Sequence, residues 1–335
     1  MRKNPSNFCT DKTANRQNRK EDGKETGNKA GSKNNPNINH IKILRFINPA
    51  KRNLCFTNSI VNIFLNIPIV NKLLSENTDQ MKLYSSANTI VEELILLNNL
   101  PNLSIESSEK LRSNVSSFCE RSGQTGRSFN DNLQHDASEF LVSMFEHLFK
   151  DSLVSNNIDE QIFGGLYQEK IVCKCGNVKY LPVQKLSEIL MIQLHGQTMQ
   201  SCLMNFLSDD DIRNDCTKCE NKNAVKTIEI VTEPSTLIIQ LKRYKYDVDE
   251  RKVIKRLDKI KCQKSLRMPG GSTFTLSSIV NHIGNNPNQG HYNVLIYDPI
   301  NDCYILLDDL NVTFDAENDS EISELCYIVS FTKDV

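Results

Sequence analysis

The sequence predicts an α+β fold, with helices gathered in the first half of the chain and strands in the second. Two observations carry this. Apolar residues recur at helical spacing between Ile60 and Leu148, and short β-rich runs bounded by polar turns take over beyond about Gly164. No internal repeat links the two halves. At 335 residues the chain is long enough to bury a sizeable core, as one large domain or two ordinary ones.

Residues 1–42 are dominated by Asn, Lys, Arg, Gly and Ser, and they hold too little apolar surface to offset the entropy of ordering. They are expected to form a disordered polar tail ahead of a folded domain at 43–335. Within that domain Ile60, Ile63, Phe64 and Ile67 fall at i, i+3, i+4 and i+7, one stripe of a helix that Pro68 would end. Cys55 then sits near a helix amino terminus. A second helix is signalled by Ile90, Val91, Leu94, Ile95 and Leu97, and a third by Phe140, Leu141, Met144, Phe145 and Leu148. Asp136 followed by Glu139 supplies the third with a start signal, an acidic variant of the capping box.

The β half begins with runs such as Lys170 to Val172, Ile228 to Val231 and Leu237 to Leu241. Tyr292 to Tyr297 and Tyr304 to Leu307 flank Asp298, Pro299, Ile300 and Asn301, turn-forming residues that predict a hairpin.

Composition narrows the function. Lys plus Arg number 40 against 41 Asp plus Glu, so no global field points to nucleic acid or to an anionic membrane. No apolar run approaches the roughly 20 residues needed to cross a bilayer, and the amino terminus lacks the apolar stretch of a secretory signal. Eleven cysteines, an odd number with two pairs at close spacing, suit reduced thiols serving metal or catalysis in the cytoplasm or nucleus.

A thiol attacks a carbonyl carbon well only as thiolate, and the unpaired N–H groups of a helix amino terminus favour negative charge there. Cys55 has that placement. Its partner would be a neutral imidazole from elsewhere in the chain, able to take the thiol proton and return one to the leaving amine. Of six histidines, His291 opens an apolar strand in Gly290-His291-Tyr292, and Asp308 and Asp309 close the next strand of the same predicted hairpin. One hairpin could thus present the base and the carboxylate that orients it. The residues alone also admit a buried structural cysteine and an ordinary strand-end histidine.

Five ordered motifs resemble those of the ubiquitin-specific proteases. Asn53-Leu54-Cys55-Phe56-Thr57-Asn58-Ser59 looks like the family's cysteine box, and Gln134-His135-Asp136-Ala137-Ser138-Glu139-Phe140-Leu141 is similar to its second signature. Leu241-Lys242-Arg243-Tyr244 resembles a strand motif of the family. The histidine box runs from His282 and Gly284 through Gly290-His291-Tyr292 to Asp308-Asp309, and Tyr327-Ile328-Val329 with Phe331 resembles the last strand. Together they cover roughly Ile47 to Phe331.

The resemblance implies a papain-like fold, with a helical thumb (about 45–160) carrying Cys55, β fingers (about 165–250), and a β palm (mostly 228–333) carrying His291 and Asp308. It implies a monomeric deubiquitinating thiol protease with Cys/His/Asp catalysis and no catalytic cofactor. Its partners would be ubiquitin or ubiquitin conjugates, cleaved after the carboxyl-terminal glycine and not nucleic acid or membrane. Asp136 and Glu139 would pair with arginines of the ubiquitin tail, while capping the helix is an equal alternative for Asp136.

Cys173, Cys175, Cys216 and Cys219 form two knuckles able to close a four-thiolate structural zinc site, reduced thiols being the alternative. The family often carries such a site at its fingers, although Cys173 and Cys175 have one residue between them where two are usual.

Other departures fall near the nucleophile. The family's oxyanion Asn, five residues before the cysteine, is Ala50 here, which leaves Asn53 or Asn48 as substitute donors. Losing one such donor typically costs about 2.7–4 kcal/mol of transition-state stabilisation. A catalytically silent ubiquitin binder, and a protease for another ubiquitin-like modifier, are therefore the alternative readings.

Overall fold

A computed structural model describes residues 40–76, 89–99, 104–121, 129, 132–150, 162–286, 289–316 and 323–334. The expected tail lies outside the described residues up to position 39. His40 and Lys42, placed in that tail by composition, are instead held to the domain: His40 Nε2 lies 2.8 Å from Asp298 Oδ1, and Lys42 pairs with Asn66.

Five helices precede the first strand among the described residues: α1 (Cys55–Leu65), α2 (Pro68–Glu76), α3 (Thr89–Asn99), α4 (Ile105–Arg121) and α5 (Ala137–Lys150). Every residue of α1 is buried, so its apolar stripe is only half of the story. Asn58, Asn62 and Asn66 recur every fourth residue. Asn66 exchanges two bonds of 2.8 Å with the backbone of Lys42, and Asn62 does the same with Leu44 at 3.2 and 3.3 Å. Amide side chains thus satisfy a buried backbone strap that has no strand partner. α1 ends at Leu65, ahead of Pro68 as expected, and Pro68 also opens α2, because a first-turn N–H needs no intrahelical acceptor and proline's fixed φ suits the position.

In chain order the strands are β1 (Leu166–Cys173), β2 (Val178–Tyr180), β3 (Gln184–Lys185), β4 (Ile189–Ile192) and β5 (Asp210–Arg213). There follow β6 (Asn223–Thr232), β7 (Thr236–Leu241), β8 (Tyr244–Asp247), β9 (Lys252–Lys255) and β10 (Ser265–Arg267). The last are β11 (Thr273–Asn286), β12 (Gln289–Asp298), β13 (Cys303–Asp308), β14 (Asn311–Thr313) and β15 (Cys326–Lys333). One sheet runs β2-β1-β6-β5 with β3 on β1, and the larger runs β14-β13-β12-β11-β15-β7-β4 with β10 on β11. The β-rich half also holds one helix the apolar runs had not suggested, α6 (Met199–Phe206), started by a Thr198/Ser201 capping box.

The larger sheet is covered on both faces. Val294 and Ile296 of β12 pack with Phe56 and Ile60 of α1 and with Phe140 of α5, while Leu295 and Tyr297 pack with Met199 and Leu203 of α6. Burial on both faces explains why β12 reads as an unbroken apolar run. The predicted β12–β13 hairpin forms, with Asp298 opposite Cys303 and Val294 opposite Leu307. Arg243 is fully buried, and its guanidinium donates to the carbonyls of Cys326, Arg256, Asp258 and Ser323. Four carbonyl partners give the Leu241-Lys242-Arg243-Tyr244 motif a structural reason.

Candidate active site

Cys55 is the first residue of α1 and is 1% exposed, with the start of β12 and the end of β13 beside it. His291 Nε2 lies 2.5 Å from Asp308 Oδ1, and the Cys55 thiol is near enough to the ring to shift its pKa. With Nε2 committed to Asp308, Nδ1 is the nitrogen left for the thiol. The Asp308 carboxylate, then the Cys55 thiol, push the His291 pKa up to about 10. His282, opposite Tyr292 on β11, is pushed the other way, to about 4, chiefly by burial and then by the Lys255 and His291 charges. Tyr244 Oη lies 2.6 Å from His282 Nδ1.

The neighbouring carboxylates part company. Asp309 has a left-handed backbone (φ 53°); a carboxylate oxygen of its side chain stays within 4.8 Å of the His291 ring, yet its hydrogen bonds go to α1 and the chain segment before it, where it accepts from Asn58 Nδ2 at 2.7 Å and Asn48 Nδ2 at 3.0 Å. Asn48 Oδ1 also accepts from the Leu54 N–H at 2.9 Å, which ties down the chain entering α1. Asn53, itself left-handed, donates from Nδ2 to the Asn132 carbonyl at 2.7 Å. Both asparagines expected as oxyanion donors thus have their amide nitrogens engaged in holding the loops around Cys55.

The amide that does lie against the sulfur is Gln134, half-buried just ahead of α5. Its Nε2 stands 3.8 Å from Cys55 Sγ and donates to the Gly290 carbonyl, while its Oε1 accepts from the Gly290 N–H at 2.6 Å. A Cβ at Gly290 would run into the Ile283 carbonyl and His282 Nε2, so only glycine allows this approach before His291.

Asp136 performs the capping role: Oδ1 accepts from the Ser138 N–H at 2.8 Å and from its hydroxyl, and Oδ2 accepts from Tyr327 Oη at 2.6 Å. Burial raises its pKa against the pull of these donors. Glu139, one turn into α5, is exposed. Asp136, Gln193, Gln240, Lys242, Tyr244 and Tyr327 border a cavity of about 320 Å³.

The four finger cysteines also meet, their sulfurs all within 4.8 Å of one another. Cys173 Sγ is 3.7 Å from Cys219 Sγ, and Cys175 Sγ is 3.7 Å from Cys216 Sγ. A tetrahedron with Zn–S bonds of about 2.3 Å has edges of about 3.8 Å, so the donor set fits zinc. The short Cys173–Cys175 spacing is accommodated by Gly176 (φ 83°), whose N–H bonds to the Cys173 carbonyl at 2.9 Å. The Lys218 N–H, foremost, draws the Cys216 thiol down to about 6.

A model of the family described as ubiquitin carboxyl-terminal hydrolase matches residues 48–330. The chain belongs to the ubiquitin carboxyl-terminal hydrolase family. Among its relatives, ubiquitin carboxyl-terminal hydrolase 48 of Rattus norvegicus is 32% identical over 186 residues, 50% of this chain and 18% of the relative. The probable ubiquitin carboxyl-terminal hydrolase 8 of Schizosaccharomyces pombe is 26% identical over 190 residues, 53% of this chain and 41% of the relative. The chain therefore spans well under half the length of these two. The fold is similar to that of the SAGA Ubp8/Sgf11/Sus1/Sgf73 DUB module bound to ubiquitin aldehyde, with a TM-score of 0.75 at 18% identity, covering 88% of this chain and 70% of that one. The architecture is the papain-like one of the ubiquitin-specific proteases.

For a ubiquitin carboxyl-terminal hydrolase, the residues that sequence reading missed around Cys55 are Gln134, Asn58 and the second carboxylate, Asp309. Only position within the second signature marked Gln134, and nothing local says that its amide crosses to Gly290. Among the described residues no helix is long and apolar enough to cross a membrane.

Proposed function

We propose that this chain is a thiol protease hydrolysing the bond after the carboxyl-terminal glycine of ubiquitin, with Cys55 as nucleophile, His291 as acid and base, and Asp308 as the residue that orients His291. The observation that carries this reading is the His291–Asp308 hydrogen bond beside Cys55 at the start of α1, close enough for the thiol to raise the His291 pKa, inside the family domain. His291, whose raised pKa keeps the ring protonated at neutral pH, holds the thiol proton while the Cys55 sulfur attacks the carbonyl carbon, and the imidazolium then protonates the departing amine. The neutral ring next takes a proton from water as the water oxygen attacks the thioester, and the second tetrahedral intermediate expels the Cys55 sulfur as thiolate, leaving the proton on His291. The Asp308 carboxyl group orients the ring and stabilises the imidazolium.

On the substrate side, Cys55 is 1% exposed beside the Gln134–Gly290 contact, which suits a tail ending in residues without side chains. Glu139 is exposed on α5, where a basic tail residue can approach it, and Asp136 accepts from three donors within the chain. Zinc on Cys173, Cys175, Cys216 and Cys219 would supply folding energy to strands that share little core, and catalysis needs no cofactor. Ten described cysteines, all free, fit a reducing compartment, the cytoplasm or nucleus.

A ubiquitin probe with a carboxyl-terminal electrophile tests the reading. It is expected to label Cys55 covalently, and Cys55→Ala is expected to abolish labelling. Binding without labelling would leave a silent ubiquitin binder, and selective reaction with a probe built on another modifier would replace the substrate.

A further inference from the structure

We infer that Gln134 is a catalytic residue that donates a hydrogen bond from Nε2 to the oxyanion of the tetrahedral intermediate; this rests on the thiol-protease reading above. When sulfur bonds to the carbonyl carbon, the π pair of C=O moves onto oxygen and the thiol proton sits on His291. On collapse that pair returns, the C–N bond breaks, and the amine nitrogen takes the proton from the imidazolium. The oxygen that carries the transient charge needs fixed donors, each about 2.7–3.1 Å away, and one such donor is commonly worth 10²–10³-fold in rate.

One donor is the N–H of Cys55, which as the first residue of α1 has no intrahelical acceptor. The second must be an amide close to the sulfur. Asn48 and Asn58 both donate to the Asp309 carboxylate, and Asn53 donates to the Asn132 carbonyl. Gln134 alone of these four brings its amide nitrogen to Cys55 Sγ, at 3.8 Å. The developing oxygen hangs one bond beyond the carbon that joins the sulfur, so a nitrogen at that distance is at a suitable remove for a normal hydrogen bond. One Nε2 hydrogen is spent on the Gly290 carbonyl, and the –NH₂ group carries a second. The Gly290 N–H holds Oε1 at 2.6 Å, so the amide cannot flip to present oxygen without losing both bonds. The donor is therefore held by two hydrogen bonds against the strand that carries His291, with its nitrogen beside the Cys55 sulfur.

The test compares wild type with Gln134→Glu, which keeps an acceptor for the Gly290 N–H and removes the donor, and with Gln134→Ala. Four quantities are read: turnover of a fluorogenic ubiquitin amide, Kd for free ubiquitin, inhibition by ubiquitin aldehyde, whose thiohemiacetal carries the tetrahedral oxygen, and alkylation of Cys55 by iodoacetamide, which passes through no oxyanion. Gln134→Glu is expected to lower kcat about 100-fold or more and to weaken aldehyde inhibition in step with kcat/KM. The ubiquitin Kd should stay within about threefold in both variants, and the alkylation rate within about threefold in Gln134→Ala, which sets no carboxylate beside the sulfur. Either kcat within threefold of wild type, or a Kd that rises as far as kcat/KM falls, overturns the inference. So does alkylation that collapses with kcat in Gln134→Ala, because Gln134 would then only position Cys55 and His291. A wild type that turns over no ubiquitin amide overturns the protease reading itself, whereas an active wild type matched by Gln134→Glu removes this inference alone.

Discussion

Asp308 Oδ1 lies 2.5 Å from His291 Nε2, while its chain neighbour Asp309 bonds to Asn58 and Asn48 instead. In the proposed mechanism Asp308 therefore orients the ring and supports the imidazolium that carries the thiol proton. Asp308→Asn is expected to lower kcat by about 10³–10⁴-fold, because the amide stabilises the wrong tautomer and no longer supports the imidazolium. Ubiquitin affinity should hold within a few-fold. Steady-state kinetics with a ubiquitin amide, alongside calorimetric binding, check this; undiminished kcat would remove Asp308 from the mechanism.

His291 and His282 make stability fall on both sides of neutrality. His291, at about 10 folded against about 6.5 unfolded, holds its proton in the native state, so its contribution is complete below pH 6.5 and is lost as pH rises toward 10. His282, at about 4 folded, must be neutral in the native state, so its environment costs stability as pH falls from 6.5 toward 4. Melting temperature should peak near pH 6.5. Asp308→Asn should flatten the alkaline limb and leave the acid limb in place, and an alkaline limb that persists in this variant would trace the effect to other groups.

Purified protein should carry about one zinc per chain, released by a strong chelator with loss of ordered structure around β1, β2, β5 and β6. Elemental analysis and hydrogen exchange of those strands give the readout. Cys216→Ser should lower both zinc content and exchange protection there, yet leave α1 protected. A metal-free protein with the same protection would show that the four thiols stand without zinc.

Asn62 is buried and exchanges two hydrogen bonds with the Leu44 backbone, and a side chain of similar size without an amide would orphan both groups. Asn62→Leu is expected to cost about 2–4 kcal/mol, the desolvation of two unpaired backbone groups at about 1–3 kcal/mol each less the gain from the apolar side chain. Denaturant unfolding measures it. A cost under about 0.5 kcal/mol would mean that water or a shift of the strap replaces the amide.

What the sequence by itself determined is what depends on neighbours along the chain. Helical spacing after Cys55, turn residues between Tyr297 and Tyr304, and paired cysteines at Cys173/Cys175 and Cys216/Cys219 are local signals, and the elements they announce are present. The same locality hid α6, which is only eight residues long, and the helix that Pro68 starts beyond the one it follows. Tertiary structure alone decided which of two adjacent carboxylates meets His291, which amide reaches the Cys55 sulfur, and where the asparagines of α1 find partners. Those choices set groups far apart in the chain against one another, as Gln134 with Gly290 or Asn58 with Asp309, and two such groups compete on differences of an ångström that no spacing in the sequence records.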